Sequence, residues 1–147
     1  MLELMARACM RVGEVPKLTP KDIEDRKAII RDPKSGKEAE VAFLPQKVAD
    51  RLQKYISDNA IEPDDRIFSI TYAAARIVVK NAGDLVGIHL KPHDLSRHAA
   101  TYASRSGTPI EIVSKILLRH SSLAITQIYL GKISDAAAIR WIDNLHG

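Results

Sequence analysis

Apolar residues recur at helical spacing through most of this chain, and only one short region alternates as strands do. Leu2, Leu4, Met5, Ala8, Cys9 and Val12 share one helical face, which predicts a buried helix over residues 2–10 ending near Gly13. Its first residues read as helix interior without an N-cap, so the expectation is a longer parent protein continuing upstream. Thr19-Pro20 predicts a short turn of helix, with proline at the first helical position. Lys27–Arg31 and Ala39–Leu44 are strand-like. Turn chemistry from Asp32 to Lys37 separates them, so the pair reads as a hairpin.

Beyond Pro45 the pattern is helical again. Val48, Leu52, Tyr55 and Ile56 mark one helix, Ile61–Asp65 a loop, and Arg66–Ile70 a brief extended piece. Tyr72, Ala75, Ile77, Val78 and Ala82 mark a second helix, closed by Gly83. Residues 94–106 predict a third, ended by Gly107, and Thr108-Pro109 open a fourth that runs through Leu118. Ser121 or Ser122 then caps a short helix carrying Ile125, Ile128 and Tyr129. Ser134-Asp135 caps a last one with Ala138, Ile139 and Ile142 on one side. The expected fold class is mainly α (α+β): a helical domain with a small antiparallel sheet, one domain over residues 1–147.

Charge adds a partner class. Lys and Arg number 22 against 18 acids, a net charge of +4, which favours a polyanionic partner without requiring one. The single Cys9 excludes an internal disulfide framework and a cysteine-cluster metal site. No two of the five histidines stand four apart beside a glutamate, as a zinc helix needs. No apolar run approaches the ~20 residues of a membrane span, and no signal peptide opens the chain. A cytoplasmic protein with no membrane association is the expectation.

The candidate chemistry lies in four separated segments. Arg11 precedes Val12-Gly13-Glu14; Lys34 and Lys37 sit on the hairpin turn; His93-Asp94-Leu95-Ser96-Arg97-His98 comes next; Leu118-Arg119-His120 precedes Tyr129. Attack on a DNA phosphate by a tyrosine needs guanidinium forks for the non-bridging oxygens. It needs a proton donor for the departing 5′-oxygen. It also needs a cationic surrounding or a base to activate a phenol whose free pKa is about 10. This set of side chains offers all three, without a cofactor or a metal.

In order and spacing these boxes resemble the catalytic domain of the tyrosine recombinases, the phage integrase family, over roughly residues 2 to 132. The family's first arginine, in Arg-x-x-Glu, matches Arg11 with Glu14. Its hairpin lysine matches Lys34 best, with Lys37 second. Its His-x-x-Arg box begins at His93, its Leu-Gly-His box falls on Leu118-Arg119-His120, and its nucleophile on Tyr129. The resemblance implies a DNA-breaking-and-rejoining enzyme of bacterial or phage origin that acts through a 3′-phosphotyrosyl link. Its partners would be double-stranded DNA and, on DNA, further copies of the chain docked through the C-terminal helix as a dimer or tetramer. An N-terminal DNA-binding domain would be the part absent here.

Two departures qualify that implication. Ser96 stands where the family has its second arginine, and Arg97 could substitute only if the turn before its helix were one residue longer, since a helical neighbour points about 100° away. Arg119 replaces the usual glycine and adds a charge beside His120. The alternatives are a catalytically inactive DNA-binding relative, a type IB topoisomerase (disfavoured by the short hairpin and closely packed boxes), and a helical protein-interaction domain.

Overall fold

The computed structural model describes residues 1–120, 123–130 and 135–146, excepting the side chains of Ile128, Tyr129, Ala137, Trp141 and His146. Its first helix, α1 (Leu2–Ala8), buries Leu4, Met5 and Ala8 and is closed by Cys9 in left-handed backbone. Thr19 and Asp22 bracket a 3₁₀ turn at Pro20–Asp22: the Thr19 hydroxyl and backbone N–H both donate to Asp22 Oδ2, at 2.8 and 3.1 Å. The predicted hairpin is present as β2 (Lys27–Arg31) and β3 (Ala39–Phe43), antiparallel with Ile29 opposite Val41. A two-residue strand β1 (Ile23–Glu24), not foreseen, pairs with β2 and completes the order β1-β2-β3.

Among the described residues, five further α-helical or π-helical elements precede the last helix. They are α2 (Gln46–Asp58), α3 (Tyr72–Leu85), α4 (Pro92–Arg105), a π-helical segment (Ile112–Leu118) and α5 (Leu123–Leu130); α6 (Asp135–His146) ends the chain. One apolar cluster joins α1, the sheet, α2 and α3 through Met5, Met10, Val15, Ala28, Leu44, Val48, Ile67 and Val79. A second, smaller one packs Cys9 against Ala100 of α4 and against Val113 and Leu118 of the π-helical segment. Because α1 contacts α4 and α4 contacts the π-helical segment and α5, the boxes at residues 11, 93–96 and 118–120 hang on one packed frame.

Several expectations are corrected. Arg66–Ile70 is bent rather than extended: Ile70 N–H donates to Phe68 O at 2.8 Å, and Ile67 N–H to Leu18 O at 2.8 Å. Gly83 does not close α3 but lies inside it. A Cβ there would stand 2.6 Å from the Ile88 carbonyl oxygen and 2.6 Å from Leu90 Cβ, so glycine lets the returning chain pack on the helix. The turn itself falls to Gly87, at φ 73°. The helix predicted from residue 94 begins earlier, and Asp94 is the third residue of α4. The helix starts at Pro92, and the Asp94 carboxylate accepts from Lys91 N–H at 2.8 Å. The predicted caps Ser121, Ser122 and Ser134 lie outside the described residues. No helix among the described residues is long and apolar enough to cross a membrane.

Candidate active site

Arg11 leaves the end of α1 because the chain turns sharply there. Cys9 sits at φ 52°, and Met10 N–H donates to Leu4 O at 3.1 Å. Glu14 then fixes Arg11 at both ends, accepting its backbone N–H at 2.8 Å and its Nη1 at 2.9 Å. Nη1 also donates to Glu40 at 3.3 Å and Nη2 to the Leu118 carbonyl at 3.4 Å. One third of the side chain stays exposed. A guanidinium anchored on one edge and open on the other suits an anion.

Lys34 comes from the β2–β3 loop, whose bend rests on Asp32 and Gly36 at positive φ and on a Gly36 N–H to Pro33 O bond of 3.1 Å. The first turns of α4 supply His93, which is exposed, and Ser96, half-buried. Arg11, Lys34, His93 and Ser96 line one cleft of about 440 Å³, together with Lys17, Glu14, Asp32 and Tyr72. Four chain segments thus converge on a wall that carries the cations Arg11, Lys17 and Lys34 beside the acids Glu14 and Asp32. Among the described residues, Lys37, Arg97 and His120 do not line it; Lys37 and Arg97 are exposed.

His120 lies beside this cleft. Its Nδ1 is 2.8 Å from Thr126 Oγ1, a fully buried hydroxyl on α5. Burial lowers the imidazole's pKa below the usual value, and the positive charge of Arg11 acts in the same direction. The ring is therefore neutral near pH 7. Tyr129 stands three residues beyond Thr126 on the same helix; its side chain lies outside the described residues.

Arg119 is not where its position beside His120 suggests. It takes left-handed backbone (φ 56°), which explains why glycine suits that place, and its side chain is buried. Nη2 donates to Glu14 at 2.8 Å and to the Cys9 carbonyl at 3.4 Å, and Nη1 donates to Glu40 at 3.1 Å. It adds no charge to the cleft wall. Glu40 and Thr126 are the residues that sequence reasoning missed. Glu40 carried a signal: on β3 it shares the inward face with Ala42, and a carboxylate there needs a charged partner. Thr126 carried none.

A mainly helical domain with a small antiparallel sheet is the architecture this chain shares with solved recombinases. The fold superposes on a crystal structure of XerA recombinase with a TM-score of 0.79 at 24% identity, covering 98% of this chain and 56% of that one. It superposes on the Tn1549 transposon integrase in complex with transposon right-end DNA with a TM-score of 0.76 at 14% identity, over 99% of this chain and 58% of that one. Residues 1–134 match the phage integrase family, and the chain belongs to that family. In sequence it is 30% identical over 136 residues to tyrosine recombinase XerA of Saccharolobus solfataricus, covering 91% of this chain and 45% of the relative. It is 28% identical over 143 residues to tyrosine recombinase XerD of Vibrio vulnificus, covering 88% and 47%. The chain spans about half the length of the curated relatives it matches.

Proposed function

We propose that this chain is the catalytic part of a site-specific DNA recombinase, a single domain that in the whole protein works with an N-terminal DNA-binding domain. The observation that carries the reading is the cleft into which Arg11, Lys34, His93 and Ser96 project from segments far apart in sequence. In the reaction, the Tyr129 oxygen attacks the scissile phosphorus and its proton leaves to a base or to solvent. The bond from phosphorus to the 5′-oxygen breaks, and Lys34 protonates that oxygen. Arg11, His93 and His120 hold the phosphate while charge builds on its non-bridging oxygens. The phosphotyrosyl ester conserves the energy of the broken bond, so rejoining to another 5′-hydroxyl needs neither ATP nor a metal. Exchange between duplexes requires several copies on DNA, and α6, with Ile139, Ile142 and Leu145 exposed, is the surface for that association.

A second reading is favoured by one observation. Ser96 lines the cleft, whereas neither Arg97 nor Arg119 does, so among the described residues the wall carries a single arginine. Losing one positioned cation from a phosphoryl-transfer site costs on the order of 10²–10⁴ in rate. The chain then binds DNA while cutting it slowly or not at all. Strand release from a nicked duplex, chosen from a random pool by the chain's own binding, tests the proposal. In the presence of EDTA and without ATP, a strand with a 5′-hydroxyl end should be released. Products bearing a 5′-phosphate, or cutting that depends on added metal, contradict it.

A further inference from the structure

Arg11 and Arg119 share the same two acids. Glu14 accepts Arg11 Nη1 on one oxygen at 2.9 Å and Arg119 Nη2 on the other at 2.8 Å. Glu40 Oε2 accepts Arg11 Nη1 at 3.3 Å and Arg119 Nη1 at 3.1 Å. Glu14, Glu40 and Arg119 are all at least nine-tenths buried, with side chains 9%, 4% and 5% exposed, while Arg11 is 34% exposed and lines the cleft. Two carboxylates and two guanidiniums cancel in charge. Without Arg119, two buried acids would face Arg11 alone, and the cluster behind the cleft would be net negative.

We propose that Arg119 is a positioning residue: by neutralising Glu14 and Glu40 from the buried side, it leaves the charge of Arg11 available to a DNA phosphate. The role rests on the reading that Arg11 binds such a phosphate. It also explains why a bulky cation occupies a left-handed position that favours glycine. The competing view is that Arg119 merely ends the π-helical segment. Glycine would then serve as well or better, because it removes the backbone strain.

Affinity of the chain for a fluorescent duplex at low salt, with folding of each variant checked by circular dichroism, separates the two. Arg119→Gly should bind about tenfold more weakly, since one uncompensated charge near the phosphate is felt strongly at partial burial. Glu40→Gln, which removes an acid, should bind as tightly as the parent or about threefold tighter. The double variant Glu40→Gln with Arg119→Gly, neutral again, should return to within roughly threefold of the parent. Parent-like binding by Arg119→Gly overturns the proposal, and so does a double variant that stays weak. Should Arg119→Gly fail to fold, Arg119→Gln, which removes the charge, and Arg119→Lys, which keeps it, carry the same decision: the first should bind about tenfold more weakly and the second like the parent, and equal binding by the two overturns the proposal. Parent-like binding by Arg11→Ala is a separate outcome, which overturns the reading of the cleft itself.

Discussion

The carboxylate of Glu14 grips Arg11 twice, through the backbone N–H at 2.8 Å and the guanidinium Nη1 at 2.9 Å. Three residues apart in sequence, the two form a closed unit at the end of α1 that also receives Arg119 at 2.8 Å. Glu14→Ala strips an acid from a buried pair and leaves Arg119 with Glu40 alone. It should destabilise the fold by roughly 3–5 kcal/mol, the usual cost of breaking a buried ion pair from one side. A urea titration measures this; a change below about 1 kcal/mol would mean that the unit is solvated and not a clamp.

Ser96→Arg restores a guanidinium to a cleft wall that has one. The rate of covalent capture on a nicked duplex should rise on the order of 10²–10⁴-fold, with DNA affinity rising much less. Equal gains in both would show that the arginine merely adds attraction to DNA.

Gly83→Ala should destabilise although alanine is the better helix former by about 1 kcal/mol. Its methyl would meet the Ile88 carbonyl oxygen and Leu90 Cβ at 2.6 Å, and overpacking of that kind costs about 1–3 kcal/mol. The urea midpoint should fall. A rise would show that the chain after Gly87 moves away freely.

Stability should fall with pH in two steps. The folded-state pKa of His120 is lowered from 6.5, by burial first and by the charge of Arg11 second. The unfolded chain therefore binds a proton first as the pH drops, so this contribution is complete above about 6.5 and is lost below it. Glu40 and Asp22 are lowered from 4.5 and 3.8. For both, burial pulls upward and is outweighed: by the Ser35 hydroxyl and the charges of Arg119 and Arg11 at Glu40, and by hydrogen bonds from Arg31 and Thr19 at Asp22. Their contributions are present above those values and lost as the pH falls through the folded pKa. Melting temperatures between pH 8 and 3 should show both steps, and His120→Asn should remove only the first.

The hairpin and the order of helices were legible because period and turn residues are local signals; Lys27–Arg31 and Ala39–Phe43 follow from them, whereas the α4 start at Pro92 was placed late, at residue 94. Gly83 misled for the opposite reason. Its cause is a contact with residues 88 and 90, and sequence alone reads any glycine near the end of an apolar pattern as a stop. Arg119 misled likewise, since adjacency to His120 says nothing about a side chain that turns inward to acids 79 and 105 residues away. The candidate residues were legible by type and order. Their separation into those lining the cleft and those beside it depends on packing of α1 against α4, which no local pattern encodes.

The proposed reaction requires that Tyr129 join the chain covalently to DNA. Incubation with a nicked duplex followed by a denaturing gel tests it most directly, run on the parent and on Ser96→Arg, each with and without Tyr129→Phe. A protein–DNA band is expected for Ser96→Arg, fainter for the parent, and none for either chain once Tyr129 is phenylalanine, with DNA binding retained. A band that survives Tyr129→Phe, or none from Ser96→Arg while it binds the duplex, would contradict it.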